Sequence, residues 1–272
     1  MAVTLVNLKM MQLRIFTWIC AVLLLSAPAR GQLDTAGLVL PVLSRQMILV
    51  VTKDWQSVDG QLQRFELSDR GWQTVGQPIR IVVGRNGMGW GRGVYPMPQP
   101  GPQKKEGDGK SPAGIFELHY AFGYEPPDKV PGIKMPYVQC TRTLECVDDQ
   151  KSPHYNQILE RSSVPKPDWN SSEKMRMTNG QYRLGIVIEH DTSPPVPGDG
   201  SCVFIHIWLG PGIGTSGCTA MRDGDIETLL GWIDAKTTPI LVQLPQPEFD
   251  RLQKLWRLPD MPAPMPASSS AK

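Results

Sequence analysis

Val203-Phe204-Ile205-His206-Ile207-Trp208, followed by Leu209-Gly210-Pro211-Gly212-Ile213-Gly214-Thr215-Ser216 and then Gly217-Cys218-Thr219-Ala220-Met221, is the stretch on which the fold turns. Its first six residues alternate as a strand does. Val203, Ile205 and Ile207 fall on one face, and Phe204, His206 and Trp208 on the other. A glycine-rich loop then leads to Gly217-Cys218, twelve residues beyond His206. A hairpin-like return across that distance brings imidazole and thiol together. A free thiol titrates near about 8.5 and is mostly protonated at neutral pH. A histidine within hydrogen-bond reach takes its proton and leaves a nucleophile. Gly217 lets a substrate carbonyl approach the backbone, and the amides around Gly217 and Cys218 are placed to donate to an oxyanion. The imidazole needs a carbonyl or hydroxyl to orient it, and Thr215 and Ser216 are the nearby hydroxyls. The competing reading is a small buried cysteine and a packed histidine with no chemistry.

Working outward, residues 47–52 form a short β-branched run, and Leu62, Phe65 and Leu67 mark a second. Asp59-Gly60 between them signals a hairpin turn. Residues 72–76 and 78–84 extend the pattern. Further strands are expected over 114–118, 182–189, 202–208 and 239–244. Residues 223–236 fit an amphipathic helix, with Ile226, Leu229, Leu230 and Ile233 at i, i+3, i+4 and i+7 and Asp223 or Asp225 to cap it. Phe249, Leu252 and Trp256 allow one more short helix. Residues 139–180 are polar and read as a long insertion or binding loop. GRNGMGWGRG over 84–93 lacks the lysine and the following helix of a phosphate loop, so it reads as a flexible surface loop. The fold class is mostly β, a mixed β-sandwich or barrel-like arrangement with one or two helices, without the strand–helix alternation of a doubly wound sheet.

The chain has 272 residues, of which 26 are Gly and 26 Pro; this suits one strand-and-loop domain rather than a helical bundle. Residues 1–29 read as an export signal peptide. Lys9 and Arg14 are its basic end, 15–25 its apolar run (with Cys20 as one more apolar residue), and Ala27-Pro28-Ala29 its cleavage site. The run is short for a membrane span, and an uncleaved N-terminal anchor is the alternative reading. Loss of Lys9 and Arg14 takes 28 basic residues to 26, equal to the 26 acidic ones, so charge gives no case for nucleic acid or an anionic membrane as partner. The expected location is periplasmic or secreted. Cys140, Cys146, Cys202 and Cys218 then face an oxidising compartment. With Cys218 as nucleophile, one disulfide and one odd thiol among the other three is the natural count, and Cys140–Cys146 and Cys146–Cys202 stand as equal alternatives. The spacing does not match a structural zinc site, and no metal or cofactor is implied. From Pro259 on, Pro, Ala and Ser dominate, so 259–272 reads as a disordered tail.

Secondary candidates lie elsewhere. Asp148, Asp149 and His154 in the polar segment are placed to line a groove and bind amines, against the alternative of a solvated loop. Arg222 is a candidate for a substrate carboxylate or a plain helix-start residue. Glu189-His190-Asp191 at a strand end reads as a surface turn, with a second polar cluster as the alternative.

HIWLGPGIGTSGCTAM resembles the active-site stretch of the YkuD-type L,D-transpeptidase family, in which a histidine precedes an S/T-x-G-C motif. GDGKSPAGIFEL, from Gly107, is similar to that family's D-G-x-[ST]-P-x-G-x-[FY] strand entry. The resemblance covers about residues 45–245, which it implies to be the catalytic domain. It implies a β-rich mixed-sheet fold, Cys218 as nucleophile and His206 as base, and peptidoglycan stem peptides as partners. The reaction it implies is transpeptidation through a thioester. Ser216 stands where the family commonly has a second histidine, and Ala220 where it has an arginine. A YafK-like branch, which resembles hydrolases, shares the first departure. Water as acceptor, giving an L,D-peptidase or amidase, is therefore the second reading. A non-catalytic cell-wall binding protein is the third, and the paired His206 and Cys218 argue against it.

Overall fold

A computed structural model describes residues 43–95 and 99–263. The expected signal segment, with Cys20, lies outside the described residues. So do residues 264–272 of the expected tail. Of the remainder of that tail, Met261 packs against the core and Pro262 O accepts from Gln61 (3.3 Å). Among the described residues no helix is long and apolar enough to cross a membrane.

The described chain is mostly β. Its strands are β1 (Gln46–Thr52), β2 (Asp59–Ser68), β3 (Gly71–Val82), β4 (Met88–Trp90), β5 (Ser111–Glu117), β6 (Ala121–Gly123), β7 (Tyr137–Gln139), β8 (Leu144–Cys146), β9 (Ile158–Glu160), β10 (Glu173–Lys174), β11 (Leu184–Val187), β12 (Phe204–Ile207), β13 (Thr219–Met221) and β14 (Ile240–Pro245). Two α-helices, α1 (Asp223–Trp232) and α2 (Gln246–Trp256), accompany them. Eleven strands form one mixed sheet in the order β4-β5-β14-β1-β2-β3-β13-β12-β11-β6-β7, and β10-β8-β9 form a second, small sheet. Four neighbours in the large sheet run parallel: β1 with β14, β4 with β5, β6 with β7 and β12 with β13.

β1 is buried along its whole length, as its unbroken apolar run requires of a strand covered on both faces. Helix α1 buries Ile226, Leu229 and Leu230, each contributing roughly 1.5–3 kcal/mol. It is shorter than the expected 223–236. It stops at Trp232, Ile233 turns to extended backbone, and the Asp234 side chain accepts from the Lys236 amide to start a separate 3-10 turn. Neither Asp223 nor Asp225 caps α1; Arg222 occupies that position without a side-chain capping bond. Asp59-Gly60 is not a turn. Both residues already pair within β2, Asp59 with Val82 and Gly60 with Thr52 and Ile81, because the reversal is made earlier, over residues 53–58.

Two segments expected to be loose are packed. Gly84, Gly87, Gly89, Trp90 and Gly91 are buried, and 84–93 contains β4 rather than a flexible loop. Its glycines are needed for close approach: Gly87 has φ 76°, and a Cβ there would meet Trp55 O at 1.9 Å. The polar segment 139–180 carries the small sheet and buries Val147, Tyr155, Trp169 and Met175. Its hub is the Glu145 carboxylate, which accepts from Arg161, Trp169, Ser172 and Lys174. Burial pushes this carboxyl up, but the four donors outweigh it and hold it down at about 2.

The disulfide joins Cys146 to Cys202, one of the two pairings the sequence allowed, and leaves Cys140 a buried free thiol. It fastens the small sheet to the approach of β12. Cys202 is left-handed (φ 55°), and its amide is held by Asn156 Oδ1 at 2.9 Å. The bridged residues are 56 apart, so reduction should cost about 4 kcal/mol through the unfolded chain's regained freedom. Calorimetry with and without reductant, or of Cys146→Ser, should show Tm falling by about 10 °C.

Candidate active site

Cys218 directly precedes β13, and His206 lies in β12. The two strands run parallel with Ile205 opposite Thr219, His206 opposite Ala220 and Ile207 opposite Met221. The expected hairpin-like return is therefore a crossover. Twelve residues suffice to bring the chain back in the same direction, and a tight hairpin would use far fewer. Opposed residues in a ladder share a face, and side chains alternate along a strand. Cys218, beside Phe204, therefore lies on the face of His206, two positions along. The opposite face carries Ile205 and Met221 into the main core.

Cys218 is 7% exposed and His206 3%. The sulfur accepts from the Phe204 amide (3.3 Å) and reaches the Cys202 carbonyl (3.7 Å). His206 Nδ1 meets Ile207 O at 2.8 Å. A carbonyl only accepts, so the proton is assigned to Nδ1 and the lone pair to Nε2. Tyr182, which the sequence reading missed, joins the two. Its ring stands edge-on to the imidazole with centroids 5.1 Å apart, and its hydroxyl interacts with Cys218 and donates to Glu173. Burial drives the thiol up to about 12, with the Glu173 charge adding to it. Burial also drives the imidazole down to about 4, against the Ile207 hydrogen bond. The resting pair is a neutral thiol and a neutral imidazole, not an ion pair. Glu173 itself is raised to about 7 by burial and by the charges of Asp148 and Glu106, against its bond from Tyr182.

The loop before Cys218 is held by hydroxyls. Thr215 Oγ1 donates to Cys218 O (2.6 Å) and accepts the Gly217 amide (3.1 Å); Ser111 Oγ also donates to Cys218 O (2.9 Å). The Cys218 amide, by contrast, donates to no acceptor among the described residues. A Cβ on Gly217 would lie 3.1 Å from Lys110 O, a tight fit. Ser216 is exposed and receives Arg85 Nη1 at 3.1 Å. Thr215 and Ser216 therefore sit on the loop before Cys218, and Ile207 makes the contact to the imidazole.

The secondary candidates separate. Asp148 is half-buried on the acidic side of the site, its Oδ1 buried without a partner among the described residues. Asp149 accepts the amides of Lys151 and Asn170 (3.0 and 2.8 Å), which lower its pKa, and so closes a turn. His154 packs edge-on to Trp169. Arg222 pairs with Asp225 (3.0 Å) at the start of α1. His190 is not on a surface turn: it is buried, bonded to the Arg92 amide and to Asp199 O, and held neutral with its pKa near about 3 by burial and the Lys104 charge. A cavity of about 1010 Å³ lies elsewhere, lined by Trp208, Gly212, Phe249 and Met261, and includes neither Cys218 nor His206.

The structure thus sets a buried thiol and a neutral imidazole on one face of a mixed β-sheet. The YkuD family model, that of the L,D-transpeptidase catalytic domain, matches residues 54–242, and the chain belongs to this family of L,D-transpeptidase-like enzymes. Comparison with curated proteins and with solved structures gives no match.

Nitrogen NMR of the imidazole should show His206 neutral, with the proton on Nδ1, at every pH above about 5, and titrating near 4. A midpoint near the ordinary value of about 6.5 would contradict the neutral pair.

Proposed function

We propose that this chain is an exported cysteine acyltransferase that cuts and rejoins peptidoglycan stem peptides. The observation that carries the reading is the parallel register of β12 and β13, which sets His206 and Cys218 on one face with Tyr182 against both. Nε2 of His206 takes the thiol proton as Sγ attacks the carbonyl carbon of a peptide bond next to a D-residue. The oxyanion forms where the Cys218 amide is unengaged. When the tetrahedral centre collapses, imidazolium returns its proton to the departing amine and a thioester remains on Cys218. An amine of a second stem peptide attacks the thioester, His206 accepts its proton, and sulfur leaves as the thiol. Asp148, with Glu173 and Glu106 behind it, gives this side of the site a negative potential suited to cationic amines of such peptides.

The second reading, water as acceptor, rests on Ser216 and Ala220. Ala220 is fully buried opposite His206, where the arginine that the family commonly carries would add a cation. In this reading the thioester forms in the same way and is hydrolysed.

Purified protein incubated with peptidoglycan fragments separates the readings by product mass: dimers for the transferase, trimmed monomers for the hydrolase. Cys218→Ala should abolish either product, and His206→Gln should lower the rate by about 10²–10⁴-fold. Unchanged products from Cys218→Ala would overturn the nucleophile.

A further inference from the structure

The mechanism above leaves one buried charge unused. The Lys104 side chain is 4% exposed. Its backbone amide is fixed to Trp90 O at 2.8 Å. The side chain then runs between two glycines: a Cβ on Gly200 would lie 3.0 Å from Lys104 Cε, and one on Gly217 3.9 Å from Nζ. The ammonium is thus set behind the backbone that presents Cys218. Two of its three N–H donors are spent, on Lys105 O (2.6 Å) and Asp108 Oδ1 (2.7 Å), and the third has no partner among the described residues. Asp108 is in turn fixed by the amides of Lys105 and Lys110 (2.8 and 2.9 Å). The acidic residue of the GDGKSP segment therefore holds the lysine, while Ser111 of the same segment holds the Cys218 carbonyl.

A buried lysine is costly unless paired, and a surface lysine would serve a solvated loop as well. The charge is felt at the thiol. Glu173 from β10 opposes ionisation of Cys218, while the Phe204 amide, the Tyr182 hydroxyl and the Lys104 ammonium favour it; His206, on the same face of the sheet, is a neutral ring. On its other side Lys104 meets Asp108 and the neutral His190; the Tyr155 hydroxyl, bonded to Glu106, lies at the same Gly200 backbone.

We propose that Lys104 is the electrostatic positioning residue of this site: its buried ammonium stabilises the negative charge that develops on Cys218 as His206 removes the proton, and so sets the pH at which the thiol reacts. The proposal rests on Cys218 being the nucleophile. Asp108 holds the ammonium in place and moderates its charge.

The test is the pH dependence of iodoacetamide alkylation at Cys218. It is read by peptide mass on the full oxidised chain as the alkylation rate at each pH between about 6 and 11, where the rate follows the small thiolate fraction below the midpoint at about 12, with a thermal melt of each variant. Lys104→Met should move the titration up by about one pH unit and slow alkylation at pH 7.5 about tenfold. Lys104→Arg should restore it. Asp108→Asn, which frees the ammonium from its counter-charge, should move it down; a merely structural role predicts no such opposite signs. If Lys104→Met fails to fold, Asp108→Asn decides: a downward shift supports the proposal, and an unchanged or upward one overturns it. Identical rate profiles in wild type and folded Lys104→Met overturn it as well. A wild-type Cys218 that iodoacetamide does not modify at any of these pH values overturns the nucleophile assignment together with this one.

Discussion

The parallel pairing of β12 with β13 is the constraint from which the site follows. A one-residue slip in that register would turn Cys218 away from His206 and into the main core, because side chains alternate with period two. The register is held from several directions. Ile205 and Met221 fill the core on the far face, and β3 and β11 pair on either side. The Cys218 carbonyl is clamped by Thr215 and Ser111. The Cys146–Cys202 bridge fixes the chain two residues before β12 begins. Residues far apart in sequence thus converge on one short ladder.

That convergence explains what the sequence made legible. Long apolar or alternating runs announced themselves, so β1, β5, β14 and the inner face of α1 stand where their pattern put them. Three-residue strands such as β4 and β13 have no period to detect, because tertiary pairing alone makes them strands. Asp59-Gly60 misled because its turn chemistry is local, while its pairing with β1 and β3 is not. The polar segment 139–180 looked solvated because its polar residues are consumed inside it, Glu145 above all. Cys218 and His206 could be named because glycines and a strand frame them. Tyr182, Glu173 and Lys104 could not, since each meets the thiol only through the fold and sits in an unremarkable local context.

The electrostatic design is a balance rather than a single strong pair. Burial alone favours the uncharged forms of both thiol and imidazole. At the thiol, Glu173 reinforces that on one side, and Lys104 opposes it on the other. A thiol kept protonated at rest is shielded from oxidation in an oxidising compartment, since thiolate character governs that reactivity. In the proposed reaction the proton moves as the substrate's own charge develops, and the Cys218 amide, unengaged among the described residues, is the proposed donor to that charge.

The most direct measurement of the central claim is the mass of the intact protein during reaction with a carbapenem, whose strained amide traps an attacking thiol as an acyl adduct. The account predicts one covalent adduct, mapped to Cys218, absent in Cys218→Ala and formed far more slowly in His206→Gln. An adduct that persists in Cys218→Ala, or one that forms at the wild-type rate without His206, would contradict it.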